Sequence, residues 1–180
     1  EYYKNIGIYK LAQTLYDSLI FYSNDDNLIA SSYLSMGTIF FNRGQIELAI
    51  EKFLFVVNNY QETKYLKEAL SALQSSYSTL GEIDKYLSVI DSLPYVSITE
   101  AEQDSLIYNA AFMKFSEMDY QVAKDAFNKY LQKFEKGVFI IDANYYYAIS
   151  ALKLGDTISA INSYKKIVES NSPSFKENSL

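Results

Sequence analysis

One column of residues constrains this chain more than any other feature. Stepping in units of 37 residues through Gly44 meets Gly7, Gly44, Gly81, Met118 and Gly155. The same step through Ala49 meets Ala12, Ala49, Tyr86, Ala123 and Ala160, and through Phe53 it meets Tyr16, Phe53, Ile90, Phe127 and Tyr164. Three residues further on stand Leu19, Val56, Leu93, Tyr130 and Ile167. Four columns hold one phase over five repeats without an insertion, so the chain is an internal repeat.

A second set of columns precedes each turn position. Tyr33, Leu70, Ile107 and Asn144 share one phase, Met36, Leu73, Ala110 and Tyr147 the next, then Gly37, Gln74, Ala111 and Ala148. Phe40, Tyr77, Lys114 and Ala151 follow, beside Phe41, Ser78, Phe115 and Leu152. Apolar spacings of three and four are the helical period, so each unit reads helix, short turn, helix. Glycine at 44, 81 and 155 suits the left-handed residue that ends a first helix. Glu47, Asp84 and Asp156 then fall near the start of the second helix, where a carboxylate complements the dipole. Alanine at 49, 123 and 160 admits a neighbouring helix, and Phe53, Phe127 and Tyr164 fill the space between successive hairpins. Thr99 and Glu102 fit a capping box at the start of a first helix. A lone hairpin cannot bury its apolar faces, so the core comes from stacking.

The phase predicts an all-α chain of antiparallel helix pairs, organised as one array over 1–180. It divides into a partial unit 1–29, full units 30–66, 67–103, 104–140 and 141–177, and a stub 178–180. Residues 1–6 read as the tail of a first helix. An array's natural ends carry atypical capping repeats, so neighbouring repeats of a longer chain are expected.

The run Tyr33–Met36–Gly37–Phe40–Gly44–Ala49–Phe53 resembles the tetratricopeptide repeat signature. The fourth full unit resembles it through Ala148, Gly155, Ala160, Tyr164 and Pro173. The second departs at Gln74 and Tyr86, and the third at Met118 and Lys114, which bears on local geometry rather than architecture. The resemblance implies a right-handed superhelical solenoid. The segments AIEKFLFVVNNYQET and AKDAFNKYLQKFEKGVFIIDANYYYA are similar to repeats in bacterial cell-envelope members of that family. The likeness implies a periplasmic or outer-membrane-associated setting, with a cytoplasmic one as the alternative.

Composition narrows the chemistry. The chain has no Cys and no His, which removes thiolate nucleophiles, disulfides, the commonest metal ligands and every Ser-His-Asp or Cys-His arrangement. Its net charge of -6 repels a phosphate backbone, so nucleic acid and anionic membrane are poor partners. Its apolar runs, such as Val138–Ile141, are too short to span a bilayer. The adjacent carboxylates Asp25–Asp26, Glu100–Glu102 and Glu117 with Asp119 read as turn and cap residues. No catalytic residue, metal site or cofactor is therefore assigned, and the chain is read as a non-enzymatic scaffold that binds a protein or peptide.

Aromatic content points to where binding would occur: eighteen Tyr and eleven Phe, but no Trp. In chaperone-binding members of the family, basic and amide side chains on first helices grip a C-terminal carboxylate. The matching inward positions here are Leu34 and Thr38, Ser71 and Ser75, Tyr108 and Phe112, Tyr145 and Ile149, none of them basic. The clamp does not carry over. Tyr108, Phe112, Tyr145, Tyr146 and Ile149 instead form an aromatic stripe, expected to line a concave groove for an apolar or aromatic segment, extended or helical. The alternative for the same residues is packing between adjacent first helices or against a neighbouring repeat, which weighs most at Phe112. On the groove reading, joint Tyr108→Ala and Tyr145→Ala substitution removes partner capture and spares helical content. The other functional reading is a cytoplasmic regulatory domain attached to an enzyme or sensor.

Overall fold

The computed structural model describes residues 2–170, with side chains from residue 8 onward. Pro173, the stub 178–180 and the side chains of Tyr2 and Tyr3 lie outside the described residues. Among those described the chain is all-α, with helices α1 (Tyr2–Tyr22), α2 (Asp26–Asn42), α3 (Ile46–Asn59), α4 (Leu66–Leu80), α5 (Ile83–Ser92), α6 (Glu100–Ser116), α7 (Tyr120–Lys133), α8 (Ile140–Lys153) and α9 (Thr157–Ser170). It divides into two compact units, Glu1–Leu80 and Gly81–Leu180.

The turns follow the repeat phase closely. Among the described residues four have positive φ: Gly44 at 72°, Gly81 at 73°, Gly155 at 79° and Met118 at 63°. All four stand in the one column. At three of them the same pair of bonds closes the helix. The N–H groups of Gly44, Met118 and Gly155 donate to Phe41, Phe115 and Leu152 at 2.9, 3.0 and 3.0 Å. Those of Gln45, Asp119 and Asp156 reach back to Phe40, Lys114 and Ala151 at 2.9, 3.0 and 2.8 Å. This is the Schellman pattern, which satisfies the last carbonyls of each first helix. The turn at 118 forms without glycine, so its geometry comes from the packed helices on either side rather than from the turn residue.

At Gly7 the structure departs from the sequence reading. α1 runs unbroken for 21 residues through that position, so residues 1–6 do not form a separate helix tail. The residue after each real turn is polar, namely Gln45, Glu82, Asp119 and Asp156, whereas Gly7 is followed by Ile8. Isoleucine cannot cap a helix start, and an interior glycine costs only about 1 kcal/mol against alanine.

In the first unit α1 packs on α2, α2 on α3 and α3 on α4. The core lies along the predicted columns: Ala49, Phe53, Val56 and Leu73 are buried. Gly37 explains how α2 and α3 approach. A methyl group built there would sit 2.3 Å from the Phe53 ring, so the small column exists to seat the aromatic one. In the second unit α5 packs on α6, α6 on α7, α7 on α8 and α8 on α9, with α6 also meeting α8. Ala111, Ala123, Phe127, Ala148, Ala151 and Ala160 are fully buried, and full burial of a Phe stabilises by roughly 1.5–3 kcal/mol. Lys114 occupies an aromatic column, buried along its stem, and ends in an ion pair with Glu117 at 3.0 Å.

Helix starts carry the expected chemistry. Thr99 and Glu102 form the capping box: the Thr99 N–H donates to Glu102 Oε2 at 2.7 Å, and the Glu102 N–H to Thr99 Oγ1 at 3.2 Å. Asp25 caps α2, accepting from the N–H groups of Asn27 and Leu28 at 2.9 and 3.3 Å. Asp119 caps α7, accepting from Val122 at 3.3 Å. Those carboxylates are fully accounted for as caps.

Candidate functional site

Helix periodicity puts the five predicted contact residues on neighbouring faces of α6 and α8, in the second unit. The structure joins the four aromatic ones in one ring network, with Ile149 beside it on α8, but at different depths. Tyr145 is the outermost, 46% exposed, with its ring 5.3 Å from Tyr146 and 6.4 Å from Tyr164. Phe112 is 36% exposed and meets Tyr146 edge-on at 4.9 Å. Tyr146 and Ile149 are half-buried. Tyr146 also packs against Phe115 at 4.8 Å and Phe127 at 5.9 Å, which ties α8 to α6 and α7.

Tyr108 is a correction. It is 9% exposed, stacked on Phe139 at 4.4 Å with 10° between the planes, and flanked by Phe127 and Tyr130 at 6.0 and 5.9 Å. Its ring is core, so a partner cannot lie against it. Packing against Phe139, in the α7–α8 connection, absorbs an inward position that the helical period alone assigns to the open face. Burial pushes the Tyr108 hydroxyl up to about 12, and the Asp142 carboxylate and Tyr146 add to the shift. Removing Tyr108 would therefore disturb the fold, so it cannot serve as a clean probe of binding.

Beneath this layer lies a polar network. Asp104 is buried. The Tyr130 hydroxyl donates to its Oδ1, and the Val138 N–H donates to its Oδ2 at 2.7 Å. The same hydroxyl accepts from the Phe139 N–H at 3.1 Å. Burial, then the bond to Asp104, holds Tyr130 far above the ordinary phenol range. Gly137 completes the arrangement, because a methyl there would meet the Tyr130 oxygen at 2.4 Å and Phe134 Cβ at 2.8 Å. Asp104 thus pins the connection before α8 to α6, fixing the slope of the helix that carries Tyr145. A signal was present in the columns. Asp104 shares its phase with Ala30, Lys67 and Ile141, and Tyr130 carries the only hydroxyl among Leu19, Val56, Leu93 and Ile167. Two polar departures in one unit marked a matched pair.

Among the described residues no cluster of three or more His, Cys, Asp or Glu side chains could hold a metal ion. None of their helices is long and apolar enough to cross a membrane. What the site offers is an exposed aromatic ledge on a buried aromatic foundation, a surface that can bind without altering bonds.

No protein-family model matches the chain, and no curated protein matches it. Among solved structures the chain is similar to a crystal structure of MamA protein, at 17% identity over 96% of this chain and 88% of that one, with a TM-score of 0.44. A second MamA crystal structure matches at 19% identity over 96% and 94%, with a TM-score of 0.40. A structure named MamA MSR-1 C2 matches at 14% over 98% and 91%, also with a TM-score of 0.40.

Proposed function

We propose that the chain is a tetratricopeptide-type scaffold that captures a protein or peptide segment on the α6–α8 face, with no chemical step. One observation carries the reading. Tyr145 and Phe112 keep 46% and 36% of their surface exposed, although they sit on rings that are themselves packed. Large exposed aromatic side chains held rigid by their neighbours bind at low entropic cost. The four left-handed turn residues in one column support the repeat assignment. The face now comprises Tyr145, Phe112, Ile149 and the rim of Tyr146, with Tyr108 as its support.

Exposure at α9 supports further helices in the array. Ile161 and Val168 are 49% and 71% exposed, whereas Ile50 and Val57 in the same columns are buried, with α4 packed on their helix. The resemblance of the repeats extends the proposal to a bacterial envelope assembly, which fractionation of the source cell tests.

The experiment compares proteins retained from the source cell by immobilised wild type, by Tyr145→Ala with Ile149→Ala, and by Ile158→Ala on exposed α9. The expected result is loss of the specific partner by more than about thirtyfold in the first variant, the scale of a hot spot. Ile158→Ala should retain it. Loss on Ile158→Ala with retention on the double variant would place the binding surface elsewhere.

A further inference from the structure

Asp142 stands in the first turn of α8, three and four residues before Tyr145 and Tyr146, so the three side chains share one helix face. It is exposed, and among the described residues of the second unit it takes no part in the ion pairs, which join Lys85 to Glu82, Lys114 to Glu117, Lys124 to Asp156 and Lys129 to Asp84. The one lysine on α8 is Lys153, in its last turn, roughly 16 Å away along the axis at 1.5 Å per residue, and on α9 Lys166 lines a pocket with Ile140, Ile141 and Asn144. On α6 the lysine is Lys114, buried and paired. The ledge therefore combines exposed aromatic rings with one exposed carboxylate that makes no ion pair among the described residues.

That combination has a defined complement. A guanidinium lies flat on an aromatic face and donates two parallel hydrogen bonds to a carboxylate, which an ammonium does not reproduce. We propose that the captured segment carries an arginine that stacks on Tyr145 and pairs with Asp142, with apolar neighbours seated on Phe112 and Ile149. This inference rests on the binding face proposed above. A carboxylate in a first turn also favours the helix dipole, which accounts for an acid at position 142 but recruits no ligand.

The test is an amide-shift NMR titration of the full chain with two acetylated, amidated tetrapeptides. One is Phe-Arg-Leu-Phe, and the other has neutral citrulline in place of arginine. The expected result is saturable shifts at Phe112 and residues 142–149, with the citrulline peptide weaker by about tenfold, or about 1.4 kcal/mol. Asp142→Asn should abolish that difference while the remaining spectrum stays in place. Equal affinity of the two peptides at these amides would overturn arginine recognition and leave the binding face standing. Shifts confined to other amides, or none that saturate, would overturn both.

Discussion

Met118 takes the backbone conformation its column gives to glycine, at φ 63°, while its side chain lies 73% exposed. A left-handed conformation costs an L-residue roughly 1–2 kcal/mol, and this side chain buries too little to offset it. Met118→Gly should therefore stabilise the protein by about 1 kcal/mol, raising the melting temperature by roughly 2–4 °C for a chain of this size. Thermal unfolding followed by circular dichroism checks it. A lower melting temperature would mean that the methionine makes contacts its exposure conceals. Asp104 has the opposite character. It is a buried carboxylate with two hydrogen-bond donors, the Tyr130 hydroxyl and the Val138 N–H, and its role is to order a loop rather than to react.

At the scale of elements, α9 is tied to α7 by Lys124, whose Nζ donates to Asp156 at 2.5 Å, while the Ser159 N–H reaches the same carboxylate at 3.1 Å. The Lys124 bond first, then those from Ser159, hold Asp156 down to about 2. A carboxylate depressed in the folded state stabilises it above the unfolded value of 3.8, and that contribution disappears as pH falls through about 2. Asp156→Asn should consequently be less stable than wild type at pH 5, and the gap should close between pH 4 and 2. Denaturant midpoints at the three pH values measure it; a gap constant with pH would sink the ion-pair account. The helices themselves were legible because a repeat prints every packing rule several times over. The capping box at Thr99 needed only local spacing. Tyr108 was not legible, because its burial comes from Phe139, a connector residue outside the helical period. The break at Gly7 failed for a related reason: one column matched while the capping position after it held isoleucine.

For the molecule as a whole, tyrosine serves both the core, at Tyr77, Tyr86, Tyr108 and Tyr130, and the proposed face, at Tyr145. Tyr108 and Tyr130 lie above the ordinary phenol value of 10.0, chiefly through burial. Groups raised in the folded state stabilise it fully below pH 10, and that stability is lost as pH rises through about 12. A spectrophotometric tyrosine titration should therefore show a late fraction that ionises together with the loss of helical signal. Complete titration near pH 10 with the helices intact would show that the rings are not packed as described.

The central claim, that the α6–α8 ledge is where a partner is captured, is most directly tested by site-specific photo-crosslinking in the native cell. A photoreactive phenylalanine derivative would replace Tyr145 in one strain and exposed Met118 in another. The account predicts a discrete adduct from position 145, weakened when Asp142 is also changed to Asn, and none from position 118. An adduct from 118 with none from 145 would contradict it.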